Sequence, residues 1–171
     1  MMMEQISLLI QEKRIIEALD RIKPYLQHTD LFWWRPLMAS WDEIEPFRTL
    51  VRLFDYALMY RHSGLVARYA HRKFNTLQTL AWLCDEWLDQ RRPLDVEEAL
   101  TPRLTAALEG RVEEPRAAIA RAAFGLVRAL LAMPRVVEAR DGLEVVARYE
   151  MAPMHDTWGY VDIETGDRTN A

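Results

Sequence analysis

Residues 64–92 read GLVARYAHRKFNTLQTLAWLCDEWLDQRR and predict one long helix that ends before Pro93. When this stretch is wound at about 100° per residue, apolar side chains cover about half of its circumference. The centre of that apolar face holds Val66, Ala70, Phe74, Leu77, Ala81, Cys84 and Leu88. A helix with so broad an apolar face is usually central to its domain, so the stretch predicts a mainly α fold.

The charges of this predicted helix are reversed relative to its dipole. Arg68, Arg72 and Lys73 lie near its start, whereas Asp85 and Glu86 lie near its end. A helix carries partial positive charge at its N-terminus and partial negative charge at its C-terminus, so both groups face like charge. Two explanations remain open. Either carboxylates elsewhere in the fold neutralise the basic end, or the basic end binds an external anion.

The segments on either side of this stretch also predict helices, for a total of five to seven. Ser40 and Glu43 have the spacing of a capping box, which opens a helix that runs to about Arg61 and ends near Gly64. Pro46 is tolerated only in a first turn, which favours a start at Glu45. Beyond Pro93, a capping signal at Asp95 and Glu98 predicts a helix that ends at Gly110. Glu114-Pro115 opens an Ala-rich helix that runs to Met133 and forms part of the core or an oligomer contact.

After Pro134 the pattern changes from helical to alternating. Asp141-Gly142 is a two-residue hairpin signal, and beyond it Leu143, Val145 and Ala147 alternate with residues that are mostly polar. The alternation predicts a small antiparallel β-hairpin or three-stranded meander. The alternative is an amphipathic helix over residues 135–150, which the valines of this stretch disfavour.

The predicted organisation is therefore a compact helical bundle with a small β appendage. The helical domain covers residues 1–134, the β appendage covers 135–164, and 165–171 form a frayed tail. The 171 residues suit one domain of this kind.

Composition limits the environment and the partners. The net charge is −4, so nucleic acid cannot be bound through overall charge and would need a local basic patch. The single cysteine, Cys84, excludes an intrachain disulfide and fits a reducing cytoplasm. We expect neither a signal peptide nor a membrane partner, since no stretch approaches the ~20 apolar residues that a spanning helix needs.

Such a local basic patch is predicted between Arg48 and Phe74, a segment with a net charge of +5. If the helices on either side of Gly64 pack antiparallel, basic side chains gather near their junction. The candidate residues for binding an anion or nucleic acid are Arg61, Arg68, Arg72 and Lys73.

Tryptophans supply the candidate partner contacts. Trp82 falls on the polar face of the predicted long helix, and Trp33 and Trp34 form an aromatic cluster in a connection. Tryptophan is enriched at the energetic centres of protein interfaces. The competing interpretation is that other elements of the same chain cover Trp82 and that the cluster fills one end of the core.

The sequence contains no established catalytic motif, so we expect no metal, no cofactor and no catalytic residue. None of the four histidines has another histidine three or four residues away, and no phosphate-binding glycine loop occurs. The leading hypothesis is a non-catalytic protein-interaction or adaptor subunit of a cytoplasmic complex, oligomeric or part of a larger assembly. The alternatives are a small helical nucleic-acid-binding subunit and an enzyme that acts on a phosphorylated small molecule at the basic junction.

Overall fold

The computed structural model describes residues 2–22 and 35–150, and these residues form helices and short connections without any β-strand. The helices in the described ranges are α1 (Met2–Gln11), α2 (Ile15–Ile22), α3 (Arg35–Ala39), α4 (Glu45–Tyr56), α5 (Tyr60–Phe74), α6 (Leu77–Asp89), α7 (Pro93–Leu108), α8 (Arg116–Ala132) and α9 (Val136–Glu150). A helical bundle is therefore confirmed. The expected number of five to seven helices is too low for the described part of the chain.

The chain forms two compact units, Met1–Glu86 and Trp87–Ala171, and the boundary falls within α6. In the first unit, α4 packs against α5, α1 and α2. The core of this unit is built from fully buried large side chains together with alanines of α2 and α5. The largest side chains of this core that are fully buried are Phe47, Phe54, Ile6, Ile10, Met38, Leu50, Leu53 and Val66.

The prediction of one long helix over residues 64–92 is wrong, because the chain turns at Asn75. This residue adopts the left-handed conformation, with φ of 50°, and its N–H donates to the carbonyl of His71 at 2.8 Å. Asparagine tolerates this conformation better than most residues and ends α5 there. Thr76 then starts α6. The Thr76 and Thr79 hydroxyls each accept a hydrogen bond from the other residue's N–H, both at 3.1 Å, as in a capping box.

This break removes half of the charge reversal. His71, Arg72 and Lys73 occupy the last turn of α5, where positive charge is favourable beside the exposed carbonyls. The acidic residues remain near the C-terminal end of α6, which has no basic residue in its last turn. The basic residues seemed to face like charge only because α5 and α6 were predicted as one helix.

The predicted helix boundary near Gly64 is also wrong. Helix α4 begins at Glu45 with Pro46 in its first turn, as the proline predicts, but it ends at Tyr56 and α5 starts at Tyr60. Gly64 lies within α5 and is buried. A Cβ atom at Gly64 would lie 1.8 Å from Oε2 of Glu86, so the glycine allows the Glu86 carboxylate to approach α5.

The threonine pair between α5 and α6 provides a stability test. The buried Thr79 hydroxyl also lies 2.9 Å from Nδ1 of His71. Thr79→Val keeps the shape of the side chain but leaves the Thr76 N–H and the His71 nitrogen without this partner. We expect the free energy of unfolding to fall by about 1–3 kcal/mol in urea titrations. Thr101→Val, at an exposed position of α7, is the matched control and should change it by less than about 0.5 kcal/mol.

In the second unit, α8 packs against both α7 and α9. The β appendage predicted for residues 135–164 is wrong wherever the structure describes it, because Val136–Glu150 is helical; residues 151–164 lie outside the described part. Ala139, Val146 and Glu150 are buried at a helical spacing of seven and four residues. A Cβ atom at Gly142 would lie 2.7 Å from Cγ2 of Val127, so this glycine permits close packing of α9 on α8 and makes no turn.

An ion-pair group at the start of α9 ties this helix to α7. The guanidinium of Arg135 contacts Glu97 of α7 at 2.6 Å and also pairs with Glu138 of α9. The hydrogen bond from Arg135 holds the pKa of the Glu138 carboxyl below its usual range. Among the described helices, none combines the length and the apolar character needed to cross a lipid bilayer.

Candidate interaction surface

Four large apolar side chains of the first unit are exposed near the end of α4. We call this group the apolar corner; its members are Ile16, Tyr56, Leu58 and Tyr60, with exposed fractions of 67%, 67%, 72% and 54%. Tyr56, Leu58 and Tyr60 lie within five consecutive residues, and Ile16 lines the same groove as Tyr56. Single exposed apolar residues are common on proteins, whereas large contiguous groups of them are typical of contact surfaces.

The backbone at the end of α4 presents this corner in a strained conformation. Leu58 has a φ of 60°, in the left-handed region that glycine or asparagine usually occupies. The turn is closed by the N–H groups of Leu58 and Met59, which donate to the carbonyls of Asp55 at 3.0 Å and Phe54 at 2.8 Å. Because the Leu58 side chain is mostly exposed, it contributes little packing within its own unit.

The strain at Leu58 predicts a substitution that stabilises the fold, whereas most substitutions destabilise it. Leu58→Gly removes the clash of Cβ with the backbone in the left-handed region, while an exposed side chain has little packing to lose. We expect the free energy of unfolding of the monomer to rise by about 1 kcal/mol. Leu58→Ala, which keeps the Cβ and therefore the strain, should not raise it. Urea unfolding followed by circular dichroism measures both; a destabilised Leu58→Gly variant would contradict the strain.

Beside the corner lies a groove of about 550 Å³ lined by Ile16, Arg52, Asp55 and Tyr56. Arg52, Asp55 and Tyr56 share one exposed face of α4, since they are three and four residues apart. Arg52 forms no ion pair with any residue that the structure describes, although Asp55 stands at a spacing that often pairs on helices. Among the described residues, the lining of this groove therefore combines the apolar Ile16 and Tyr56 with the charged Arg52 and Asp55.

A second groove of about 470 Å³ runs between α1 and the start of α4 and is more acidic. Asp42, Glu43 and Glu45 line it beside the indole of Trp41. The carboxylate of Glu45 is bound by Arg48 at 2.9 Å. The acidic character of this groove is thus partly neutralised from within the unit.

The four basic residues predicted to bind an anion do not form one patch that is open to an external ligand. Arg68 is paired with Glu86 at 3.1 Å, and Lys73 donates to the carbonyls of Trp41 at 2.5 Å and Ala39 at 3.3 Å. Arg61 and Arg72 are exposed and pair with no carboxylate within the described ranges. A carboxylate of the chain itself therefore neutralises Arg68, whereas Arg61 and Arg72 are exposed to solvent on the same side of α5.

The candidate tryptophans divide in a similar way. Trp82 is only 7% exposed and belongs to the core of the first unit, as the competing interpretation expected. Trp33 and Trp34 lie outside the described residues. We therefore leave Trp82 out of the interaction surface, and the role of Trp33 and Trp34 stays a prediction.

Two side chains of types that perform chemistry in other proteins, Cys84 and His62, are buried in the first unit. The thiol of Cys84 is buried in α6, and burial, assisted by the nearby charge of Asp85, raises its pKa to about 12. A thiol with so high a pKa is a poor nucleophile at neutral pH. The ring of His62 is buried against Phe54 at a centroid distance of 5.2 Å. Within residues 2–22 and 35–150, no three His, Cys, Asp or Glu side chains gather as a metal site would require.

The apolar corner was not foreseen as a surface. Residues 56–60 read YALMY, and this stretch contains no glycine, proline or asparagine to mark the end of α4. A continuous helix was therefore expected to run through it. The only available signal was the crowding of large apolar residues in a short segment, which a buried helix would show equally well.

Comparison with family models, with curated proteins and with solved structures finds no match to this chain.

Proposed function

We propose that the protein is a non-catalytic protein-interaction or adaptor subunit that acts in the cytoplasm, as an oligomer or within a larger complex. The observation that carries the proposal is the apolar corner, where four large side chains stay exposed beside an open groove. Burying such side chains against a partner would contribute about 25 cal/mol per Å² of apolar surface removed from water. Two of them are tyrosines, a residue type enriched in binding sites.

The strain at Leu58 supports the same proposal. Holding a bulky residue in the left-handed region costs roughly 1–2 kcal/mol, and the exposed Leu58 side chain returns little of that within its own unit. A partner that covers the leucine would supply the missing contacts.

Gel filtration with light scattering tests the proposal on the full chain. We expect either a mass above that of one chain or a protein that co-purifies with it at a fixed ratio. Replacement of Tyr56 by alanine should reduce whichever association is seen, because its ring is a central exposed member of the corner. A protein that stays strictly monomeric at high concentration and carries no partner from cell extracts would contradict the proposal.

A second candidate function is nucleic-acid binding, favoured by the two open arginines on α5. Arg61 and Arg72 pair with no carboxylate in the described ranges and are separated by about three helical turns. Electrophoretic mobility shift with single-stranded and duplex DNA and RNA tests this function. Binding should weaken with salt, and the Arg61→Ala and Arg72→Ala variants should each weaken it and lower the salt dependence. Failure of all four probes at low salt would exclude it.

A further inference from the structure

We propose that the exposed arginines of α5 bind the phosphate backbone of a nucleic acid, and that Glu86 of α6 limits this binding because it occupies Arg68. The proposal rests on the second function given above and deepens it. It names the surface, the chemical group that is bound and a carboxylate of the same chain that competes with that group.

Helix α5 carries a line of arginines on one face. Arg61, Arg68 and Arg72 lie within about 40° of one another around the helix axis and span about 16 Å along it. All three are exposed, and α5 contains no aspartate or glutamate. We call these three residues the arginine face. A line of cations on a helix without carboxylates complements a chain of regularly spaced anions.

The chemistry of the arginine face fits phosphate groups. A guanidinium presents its N–H groups in a rigid fork that binds two oxygens of one phosphate at once. A nucleic acid carries negative charge at short, regular intervals along its backbone, so one strand reaches several of these arginines together. An acidic protein segment is the alternative ligand, and the test below distinguishes it.

Glu86 brings a carboxylate to this face. Its Oε1 lies 3.1 Å from Nε of Arg68 and its Oε2 lies 3.3 Å from Nη2, so both oxygens contact the guanidinium. Gly64, one turn before Arg68, leaves the space for this approach, because a Cβ atom there would lie 1.8 Å from Oε2. The side chain of Glu86 is 11% exposed and that of Arg68 is 45% exposed. The carboxylate therefore neutralises Arg68 from the protein side and leaves the guanidinium partly open to solvent.

The carboxylate and a phosphate would compete for Arg68. Both are anions that bind the same fork, and a phosphate that approaches Arg68 also meets the negative charge of Glu86. Within the described part of the chain, the arginine face therefore carries two uncompensated positive charges, those of Arg61 and Arg72. Removing the charge of Glu86 would raise this number to three without any change in the arginines.

Glu86→Gln provides the test, because glutamine keeps the shape of the side chain and removes its charge. Fluorescence anisotropy of labelled oligouridine and of a labelled DNA duplex measures binding to the full chain. The variant should bind one or both probes more tightly than the wild type by about threefold at low salt. One further phosphate contact releases one further counterion, so the slope of log K against log salt should steepen by about 0.7 for oligouridine or about 0.9 for the duplex.

Two variants separate this contact from a general effect of charge. Glu144 is exposed on α9, in the other unit, and Glu144→Gln changes the overall charge by the same amount. This control should change the affinity by less than about twofold. The double variant Arg68→Ala/Glu86→Gln lacks the released cation and should return affinity and salt slope to the wild-type values. A gain that persists in the double variant, or that Glu144→Gln reproduces, would overturn the inference.

A second route to the same release guards against a folding defect. Circular dichroism checks that each variant remains helical. If Glu86→Gln does not fold, Gly64→Ala replaces it, because the added Cβ pushes the flexible end of the Glu86 side chain away from Arg68. Alanine is the better helix former, so α5 should stay intact. The affinity should rise in this variant too, and an unchanged affinity would contradict the competition.

The remaining outcomes separate this inference from the second function. If the wild-type chain binds a nucleic acid and Glu86→Gln changes neither affinity nor salt slope, the competition is overturned while the second function stands. If only Glu86→Gln binds, the competition is supported and the second function fails for the unaltered chain. If labelled polyglutamate gains as much affinity as the nucleic acids, an acidic protein is the partner and the phosphate assignment is overturned. If neither chain binds any probe at low salt, both statements are overturned.

Discussion

Replacing Phe47 by alanine should lower the free energy of unfolding by about 3–5 kcal/mol, the range expected for removal of a buried ring. Phe47 is fully buried at the start of α4. Its ring contacts three aromatic rings, with centroid distances of 5.1 Å to Trp41, 5.5 Å to Phe74 and 5.9 Å to Tyr69. Alanine would leave a cavity among these rings, because neither α4 nor α5 can close it without moving other core side chains.

Urea unfolding followed by circular dichroism measures this loss. Tyr56→Ala is the matched control, since it removes an aromatic ring of similar size from the other end of the same helix. Tyr56 is mostly exposed, so this control should change the stability of the monomer by less than about 0.5 kcal/mol. Similar effects of the two variants would contradict the placement of Phe47 at the centre of the first unit.

Replacing Gly142 by leucine should destabilise the second unit by about 1–3 kcal/mol. The Cβ atom alone would come within 2.7 Å of Cγ2 of Val127, and Val127 is buried in α8. The stiff, branched side chain of Val127 cannot turn aside easily, so α9 must move away from α8. The higher helix propensity of leucine, worth about 1 kcal/mol over glycine, offsets only part of this cost.

Asp141→Leu separates the observed helix from the hairpin that the sequence predicted. Asp141 is exposed on α9, where leucine is the better helix former, so this control should be neutral or stabilising by a few tenths of a kcal/mol. In a hairpin, leucine would occupy a turn position that needs a positive φ and would destabilise it. A loss of stability above about 1 kcal/mol at both positions would therefore argue for the turn.

The incorrect predictions of a hairpin after Pro134 and of one long helix over residues 64–92 both came from local signals that fit two structures. Asp141-Gly142 is typical of a hairpin turn, but glycine is also required where two helices approach closely, and only Val127 distinguishes these cases. Apolar residues continue on one face across Asn75, so periodicity alone joined α5 to α6. The Asn75-Thr76 pair carried the correct signal for a helix end followed by a helix start, but the continuous apolar face outweighed it.

The candidate anion-binding residues also show what the sequence reveals and what it leaves to the tertiary structure. The sequence shows that residues 48–74 are basic, yet it does not show which charges are used within the fold. Arg68 and Glu86 are 18 residues apart, and Lys73 binds carbonyls more than 30 residues away, so both contacts depend on which helices meet. Arg61 and Arg72 remain open only because no carboxylate of the described chain was brought to them.

By itself the sequence determined the helical class, the start of α4 at Glu45 and the burial of residues such as Val66, Ala81 and Cys84. These features depend on periodicity and on neighbours within about four residues, which one helical turn contains. Tertiary structure alone decided that α9 is a helix, that Glu86 holds Arg68, and that Tyr56 and Leu58 stay exposed. The free energy of those features comes from contacts between segments distant in the chain, or from the lack of them, and no local pattern encodes which segments meet.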